Sequence, residues 1–175
     1  MEEPHTLLTP RGPVTVASAQ PCDLDDLEAL YEDAARWLAA RDINQWQAGY
    51  FRRDSQLAAI RRGECYIVRA PGQAVGMLTL IWADPSIWGE QPADAGYLHG
   101  LAVRRDWAGL GLGRQLLTWA ERRVAAAGKP YLRLDCGADN PPLRAYYEHA
   151  GFIHKGDTGT RWRASLYEKP VGLPS

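Results

Sequence analysis

Three glycines at alternate positions, Gly109, Gly111 and Gly113, follow an apolar run that ends at Val103 and lead into Arg114-Gln-Leu-Leu117. Glycine lacks the Cβ that would hold a ligand off the main chain, so several backbone N–H groups can converge on one anion. Where such a turn opens a helix, the macrodipole adds a favourable potential for phosphate oxygens. The spacing predicts a phosphate cradle built from backbone. A nucleoside-triphosphate loop needs Lys and then Ser or Thr after its last glycine, and Arg114 and Gln115 stand there instead. The dinucleotide fingerprint fits no better: residues 104–108 separate the strand end from the first glycine, although Asp135 imitates that fold's acidic residue. Taken alone, the loop serves equally well as a sharp strand-to-helix turn.

The elements that must hold this loop alternate between strand and helix periods. Residues 13–19 alternate as a strand, and Asp23 caps a helix with Leu27, Leu30, Tyr31, Ala34 and Leu38 at helical spacing. Residues 43–51 carry Trp46 and Tyr50 without a period, a short helix falls near 54–62, and 65–68 and 74–82 form a hairpin around Pro71-Gly72. Residues 84–96 are a long Pro/Gly/Asp-rich connection before the β-rich run 97–103. Leu116, Leu117, Ala120, Val124 and Ala127, closed by Gly128, define the helix after the loop, and 129–136 the next strand. Asn140-Pro141 supplies a cap and first residue for a helix carrying Leu143, Tyr146, Tyr147 and Ala150, ended by Gly151. Residues 152–156 and 161–168 are the last strands. With no repeat and no interior linker, residues 14–168 read as one unit, and the chain as a single domain over 1–175 with a loose tail at 1–12.

Composition narrows the partners. A chain of 175 residues with 46% hydrophobic residues is long enough to bury one core. Twenty basic against 21 acidic residues leave a net charge of -1, without the electrostatic footprint of a nucleic-acid or membrane-surface binder. Cys22, Cys65 and Cys136 form no C-x-x-C pair and no metal-ligand rhythm, so reduced thiols and no metal are expected. An acidic start without an apolar stretch, and no run of membrane-spanning length, predict a cytoplasmic protein.

A second motif gives the glycines a meaning. Asn140-Pro-Pro-Leu-Arg-Ala-Tyr-Tyr147-Glu-His-Ala-Gly151-Phe152, taken with Leu101-Ala-Val103 and the Gly109-x-Gly111-x-Gly113 loop, resembles the GNAT superfamily of acyl-CoA-dependent N-acyltransferases over residues 97–152. The resemblance implies an α/β fold: a central mixed, mostly antiparallel sheet splayed between the fourth and fifth strands, with helices on both faces. It implies acetyl-CoA as co-substrate, with its pyrophosphate on the backbone of Ala108, Gly109, Leu110, Gly111, Leu112, Gly113 and Arg114. It implies that Leu101, Ala102 and Val103 meet the acetyl carbonyl and pantetheine arm, that Asn140 helps hold the cofactor, and that Tyr147 lies near the thioester sulfur. Ala108 departs from the pattern, which carries Gln or Arg there; its N–H is expected to stay available, with Arg114 or Arg104 adding charge.

The bond being made assigns roles. An amine attacks the thioester carbonyl, charge builds on oxygen and then on sulfur, and the amine sheds protons. The Val103 N–H, freed by a strand bulge, polarises the carbonyl. Tyr147, a phenol of ordinary pKa about 10, protonates a thiolate of about 8.5, unless it merely packs beside Tyr146. His99 is the candidate base: the segment Tyr97-Leu-His99-Gly-Leu101 resembles a histidine-bearing strand of arylalkylamine N-acetyltransferases, with Tyr97 in place of the first histidine. A strand histidine satisfied by a backbone carbonyl is the competing reading. The acceptor is expected to be a small-molecule amine met by Trp46, Trp82, Asp84 and Tyr97, with Trp37, Tyr50, Trp88, Glu90 and Asp94 in the same aromatic and acidic segments. A protein N-terminus or lysine is the alternative acceptor, a non-catalytic acyl-CoA-binding module the alternative class, and a homodimer, common in the family, is compatible with the sequence.

Overall fold

The alternation near the N-terminus folds as β2 (Gly12–Ser18), with Val14 and Val16 turned inward. The structure, a computed structural model, describes residues 4–160 and 162–172. Ahead of β2, β1 (His5–Thr9) pairs with it antiparallel from His5↔Val16 to Thr9↔Gly12. This corrects the loose tail expected over residues 1–12. The Pro and Gly that read as slack belong to a hairpin turn, closed by the Thr9 hydroxyl donating to the Gly12 carbonyl at 2.8 Å. Residues 1–3 of that expected tail, and Arg161 at the start of the expected last strand, lie outside the described residues.

The remaining elements are α1 (Leu24–Ala39), α2 (Arg53–Arg61), β3 (Cys65–Ala70), β4 (Gln73–Ile81), α3 (Pro85–Trp88), β5 (Ala95–Val103), α4 (Leu112–Ala126), β6 (Tyr131–Gly137), α5 (Pro141–His149), β7 (Ile153–Thr158) and β8 (Ala164–Pro170); α3 and the first two residues of β5 lie inside the connection expected over 84–96, and the others follow the sequence periods. The eight strands form one open mixed sheet in the order β1-β2-β3-β4-β5-β6-β8-β7. β5 and β6 run parallel; the pairs β1–β2, β2–β3, β3–β4, β6–β8 and β7–β8 are antiparallel.

Two compact units share this chain, and β4 and β5 each run through both. The first holds the chain up to Asp42, Trp46–Thr79 and Gly100–Gln115. Its core joins Leu27 and Leu30 of α1 and Ala59 and Ile60 of α2 to Cys65, Ile67 and Met77 of the hairpin. Tyr31 and Ala34 extend the α1 stripe at the spacing that a 3.6-residue period requires.

The second unit holds Ile43–Gln45, Leu80–His99 and the chain from Leu116 onward. Leu116, Leu117, Ala120 and Val124 of α4 are buried, as are Leu132 and Leu134 of β6. Along β6, Leu132, Leu134 and Cys136 alternate with Tyr131, Arg133 and Asp135, so one face of the strand joins the core and the other carries its polar groups. β5 pairs with β6 from Ala95↔Tyr131 to Leu98↔Leu134, and the pairing stops there. Gly100 follows with φ 59, a left-handed kink that a residue with a Cβ rarely adopts. These are the fourth and fifth strands of the expected fold, counted one higher because of β1.

Candidate functional site

The last paired residues of β5 and β6 are followed, on one sheet face, by His99 and Asp135. Two residues earlier the same face carries Tyr97 opposite Arg133, so period-two alternation puts His99 beside Asp135. The Nδ1 of His99 lies 3.7 Å from Asp135 Oδ1. The other ring nitrogen, Nε2, lies 3.2 Å from Oδ2 of Asp84, which stands just before α3. Asp84 is fixed in turn by the Ser86 hydroxyl, which donates to its Oδ1 at 2.8 Å. One imidazole therefore sits between two carboxylates.

Burial and charge compete in this cluster. The side chains of Asp84 and Asp135 are 5% and 10% exposed, and that of His99 is 30% exposed. Burial opposes the charged ring, but the Asp84 contact and the charges of Asp135 and Asp84 outweigh it and hold His99 above its ordinary pKa. Burial would raise Asp84, yet His99, Ser86 and the Ile87 backbone bring it below the usual carboxylate value. Asp135 is pushed up by burial, with His99 opposing and Asp84 adding to the rise. Neither Asp84 Oδ2 nor Asp135 Oδ1 accepts a hydrogen bond of regular geometry from the described residues. The 3.2 Å contact is thus an ion pair outside hydrogen-bond geometry.

Tyr147 lies on the buried face of α5, with the Tyr146, Phe152 and Tyr167 rings at 5.6, 5.8 and 6.2 Å. Burial, aided by Cys136, Tyr146 and Asp135, pushes its phenol well above the ordinary value, so the proton stays on at neutral pH. Among the described residues its hydroxyl has no hydrogen-bond partner in the network around it, where Tyr167 donates to Glu148 and Arg144 to Tyr167. Asn140 caps α5: its Oδ1 accepts from the Leu143 N–H at 3.4 Å, and its Nδ2 donates to Gln45 Oε1 at 2.8 Å. This buried amide thus ties the start of α5 to Gln45.

The glycine loop belongs to the first unit. Gly109 and Gly111 both take φ 77, and a Cβ at either would meet no atom within 4 Å, so the space over the loop is open. Leu112 and Gly113 begin α4, where the first N–H groups of a helix have no partner within the helix. Among the described residues, Gly109, Leu110 and Gly111 donate no loop hydrogen bond, and only the carbonyl of Gly111 is engaged, by Gln115. Open space above unspent N–H groups fits a pyrophosphate. The Ala108 N–H, expected to be available, donates to Arg105 O at 3.2 Å. Arg104, the other expected helper, is forked onto Asp106 at 2.8 and 2.7 Å. Arg114 is exposed in the first turn of α4.

The acetyltransferase (GNAT) family model matches residues 27–152. The chain belongs to this family. It is an acyl-CoA-dependent N-acyltransferase. The uncharacterized N-acetyltransferase YesJ of Bacillus subtilis (strain 168) is 30% identical over 156 residues, 85% of this chain and 86% of that protein. The GNAT-family acetyltransferase of Listeria monocytogenes 4b F2365 superposes with TM-score 0.81 at 26% identity, covering 95% of this chain and 100% of that one. The yncA protein of Salmonella typhimurium, solved with its cofactor acetyl-CoA, shares the fold at TM-score 0.67 and 15% identity, covering 93% and 96%.

Within this acetyltransferase the expected acceptor residues are used differently from one another. Tyr97 is 2% exposed, packs edge-on against Trp88, and accepts from Arg133 Nη1 at 2.9 Å. It is sealed inside the second unit and lines no acceptor site, which corrects its assignment. Trp82 carries the protein's own Lys129 ammonium 5.6 Å from its ring centroid, and Trp46 stacks on Tyr31 at 5.0 Å. Trp37 holds the guanidinium groups of Arg41 and Arg105 at 4.2 and 4.7 Å, and Asp94 pairs with Arg133 at 3.1 Å. Of the carboxylates gathered from that segment, Asp84 joins His99. Leu101 and Val103 are half-buried and flank buried Ala102, as strand alternation requires, and the Val103 carbonyl accepts from Arg105 at 2.9 Å. β5 kinks at Gly100, three residues before Val103.

Asp135 is the residue that sequence reasoning missed. Its signal was present: it is two positions after Arg133 on a strand parallel to the one carrying His99, but only the register reveals the pair. Asp84, His99 and Asp135 each offer one donor atom within 4.8 Å of the other two, a proximity also found in small cation sites. The two carboxylates face different ring nitrogens, Asp84 at Nε2 and Asp135 at Nδ1.

Proposed function

We propose that the chain, acting as a single acetyltransferase domain, moves an acetyl group from acetyl-CoA to the primary amine of a small molecule by direct attack in a ternary complex. The observation that carries this reading is His99, a partly exposed imidazole held at one edge by a buried carboxylate. Amide formation from an alkylammonium of pKa about 10 needs a group that accepts protons near neutrality, and a histidine oriented by Asp supplies one. Tyr147, protonated and with no hydrogen-bond partner for its hydroxyl among the described residues, is the donor to the departing sulfur. The open glycine loop at Gly109 to Gly113 receives the pyrophosphate of acetyl-CoA, the cofactor present in the yncA structure.

No helix among the described residues is long and apolar enough to cross a membrane, and Cys22, Cys65 and Cys136 are free thiols, which suits the cytoplasm.

The deciding experiment incubates the protein with acetyl-CoA and a panel of primary amines, following thiol release and product mass. Acetylation of at least one small amine, abolished in His99→Ala, supports the proposal. Transfer only to peptide N-termini or lysines contradicts it.

A further inference from the structure

We infer that Asp84 and Asp135 form, around His99, a receptor for the ammonium group of the acceptor that works by proton exchange: the aliphatic ammonium enters as His99 releases its own ring proton, and the ring then takes the ammonium proton. This rests on the amine reading above and specifies it further. The acceptor class is an aliphatic primary amine, cationic in solution, in preference to an aromatic amine, which is neutral there.

Charge balance carries the inference. Asp84 reaches Nε2 from the segment before α3, and Asp135 reaches Nδ1 from β6. The other titratable groups felt by Asp135 are Cys136 on its own strand and Tyr147 on α5, and both stay neutral, Cys136 because burial pushes its thiol up to about 12. Ser86, on α3, is uncharged. Arg133, the cation two residues along β6, is committed to Glu168 at 2.8 Å and Asp94 at 3.1 Å. Among the described residues, the ring is then the cation available to two carboxylates that are 95% and 90% buried, from exposures of 5% and 10%. With a neutral ring the pair would hold two unbalanced buried charges, which is costly. One positive charge is therefore always wanted, as imidazolium before the acceptor binds and as ammonium afterwards.

The atoms available agree with this exchange. Asp84 Oδ2 and Asp135 Oδ1 are buried acceptors without a regular donor, and an ammonium brings three N–H donors. Nε2 of His99 is itself buried, so the exposed part of the ring lies elsewhere, which leaves Nδ1, on the Asp135 side, to meet the acceptor.

The protons balance. The ammonium gives one proton to Nδ1, and its freed lone pair forms the N–C bond as the C–S bond breaks. The electron pair goes to sulfur, which takes a proton from Tyr147; the phenol regains one from the new amide nitrogen. His99 keeps that proton as the resting imidazolium and releases it to solvent when the next ammonium enters, one per turnover. Asp84 and Asp135 act as positioning residues throughout.

The test titrates 2-phenylethylamine into the full-length protein saturated with coenzyme A, by calorimetry in two buffers of different ionisation enthalpy. The same amine and aniline are compared in acetyl transfer across pH for the parent, Asp84→Asn and Asp135→Asn. Expected are proton release approaching one per amine bound on the acidic side of the profile, and in Asp135→Asn a smaller release, an acidic limb moved to lower pH and an amine KM raised on the order of tenfold. Preference for 2-phenylethylamine over aniline should shrink in both variants, and Asp135→Glu should restore part of it. Parent binding without proton release overturns the inference even where a variant fails to fold. So do variants with the parent's limb and KM, or activity lost to EDTA and restored by a divalent cation. If the parent acetylates no amine, the amine reading fails and this inference with it; transfer with unresponsive variants removes the inference alone.

Discussion

His99 Nε2 stands 3.2 Å from Asp84 Oδ2, and this pairing leaves Nδ1 as the ring nitrogen that exchanges protons. A carboxylate on one edge of an imidazole favours the protonated ring and so raises its basicity. The base must be neutral to act, and the two carboxylates raise its pKa against burial. The acidic limb of kcat/KM is therefore expected above pH 6.5, the ordinary value. A limb at or below that value in the parent contradicts the assignment.

The same shift makes a stability prediction. The folded pKa of His99 is raised, so its contribution is fully present below about pH 6.5 and is lost as pH rises through the folded value. The difference in Tm between the parent and His99→Asn should be largest on the acidic side and shrink toward alkaline pH. A difference that grows with pH refutes the sign.

Removing the Tyr147 hydroxyl separates chemistry from packing. The group has no partner among the described residues, and deleting an unpartnered buried hydroxyl is close to neutral for stability. Tyr147→Phe should keep or slightly raise Tm and keep affinity for coenzyme A, while kcat falls on the order of tenfold or more, within the range of acid catalysis. Unchanged kcat in single-turnover mixing would remove the acid role.

The glycine loop predicts a backbone effect. Gly111 takes φ 77 under open space, so Gly111→Ala places a Cβ where the ligand is expected and costs about 1–2 kcal/mol in a left-handed conformation. Isothermal titration should show weaker binding of coenzyme A with the amine KM little changed. Equal affinity would mean that the loop is only a turn.

Arg133 is a structural counterpart to the His99 cluster. Its guanidinium, 6% exposed, meets Glu168, Asp94 and the Tyr97 hydroxyl. Arg133→Met removes this guanidinium from half-buried Asp94 and Glu168, the latter keeping Lys155 at 3.4 Å, and should cost about 2 kcal/mol, a Tm loss of roughly 4–8 °C for a chain of this size. Thermal denaturation measures it directly.

Local chemistry made most of the fold legible. The Leu27, Leu30, Tyr31, Ala34 stripe gives α1, Asn140-Pro141 starts α5, and alternating glycines mark the turn into α4, because each signal is contained in a few consecutive residues. β1 was missed because its Pro and Gly belong to a turn whose partner strand must be known first. The Ala108 N–H was read as ligand-facing, but it donates to Arg105, and the tie from Asn140 to Gln45 also lies beyond what sequence order reveals. Asp135 shows the same limit: it joins His99 only through the parallel register of β5 and β6.

The central claim is that His99 takes the proton of a small primary amine during acetyl transfer. Its most direct test is kcat/KM for 2-phenylethylamine and acetyl-CoA, measured from acid to alkaline pH in the parent and His99→Ala. The account predicts a fall on the order of 10²-fold at neutral pH with loss of the acidic limb. A variant that keeps both the rate and the limb of the parent contradicts it.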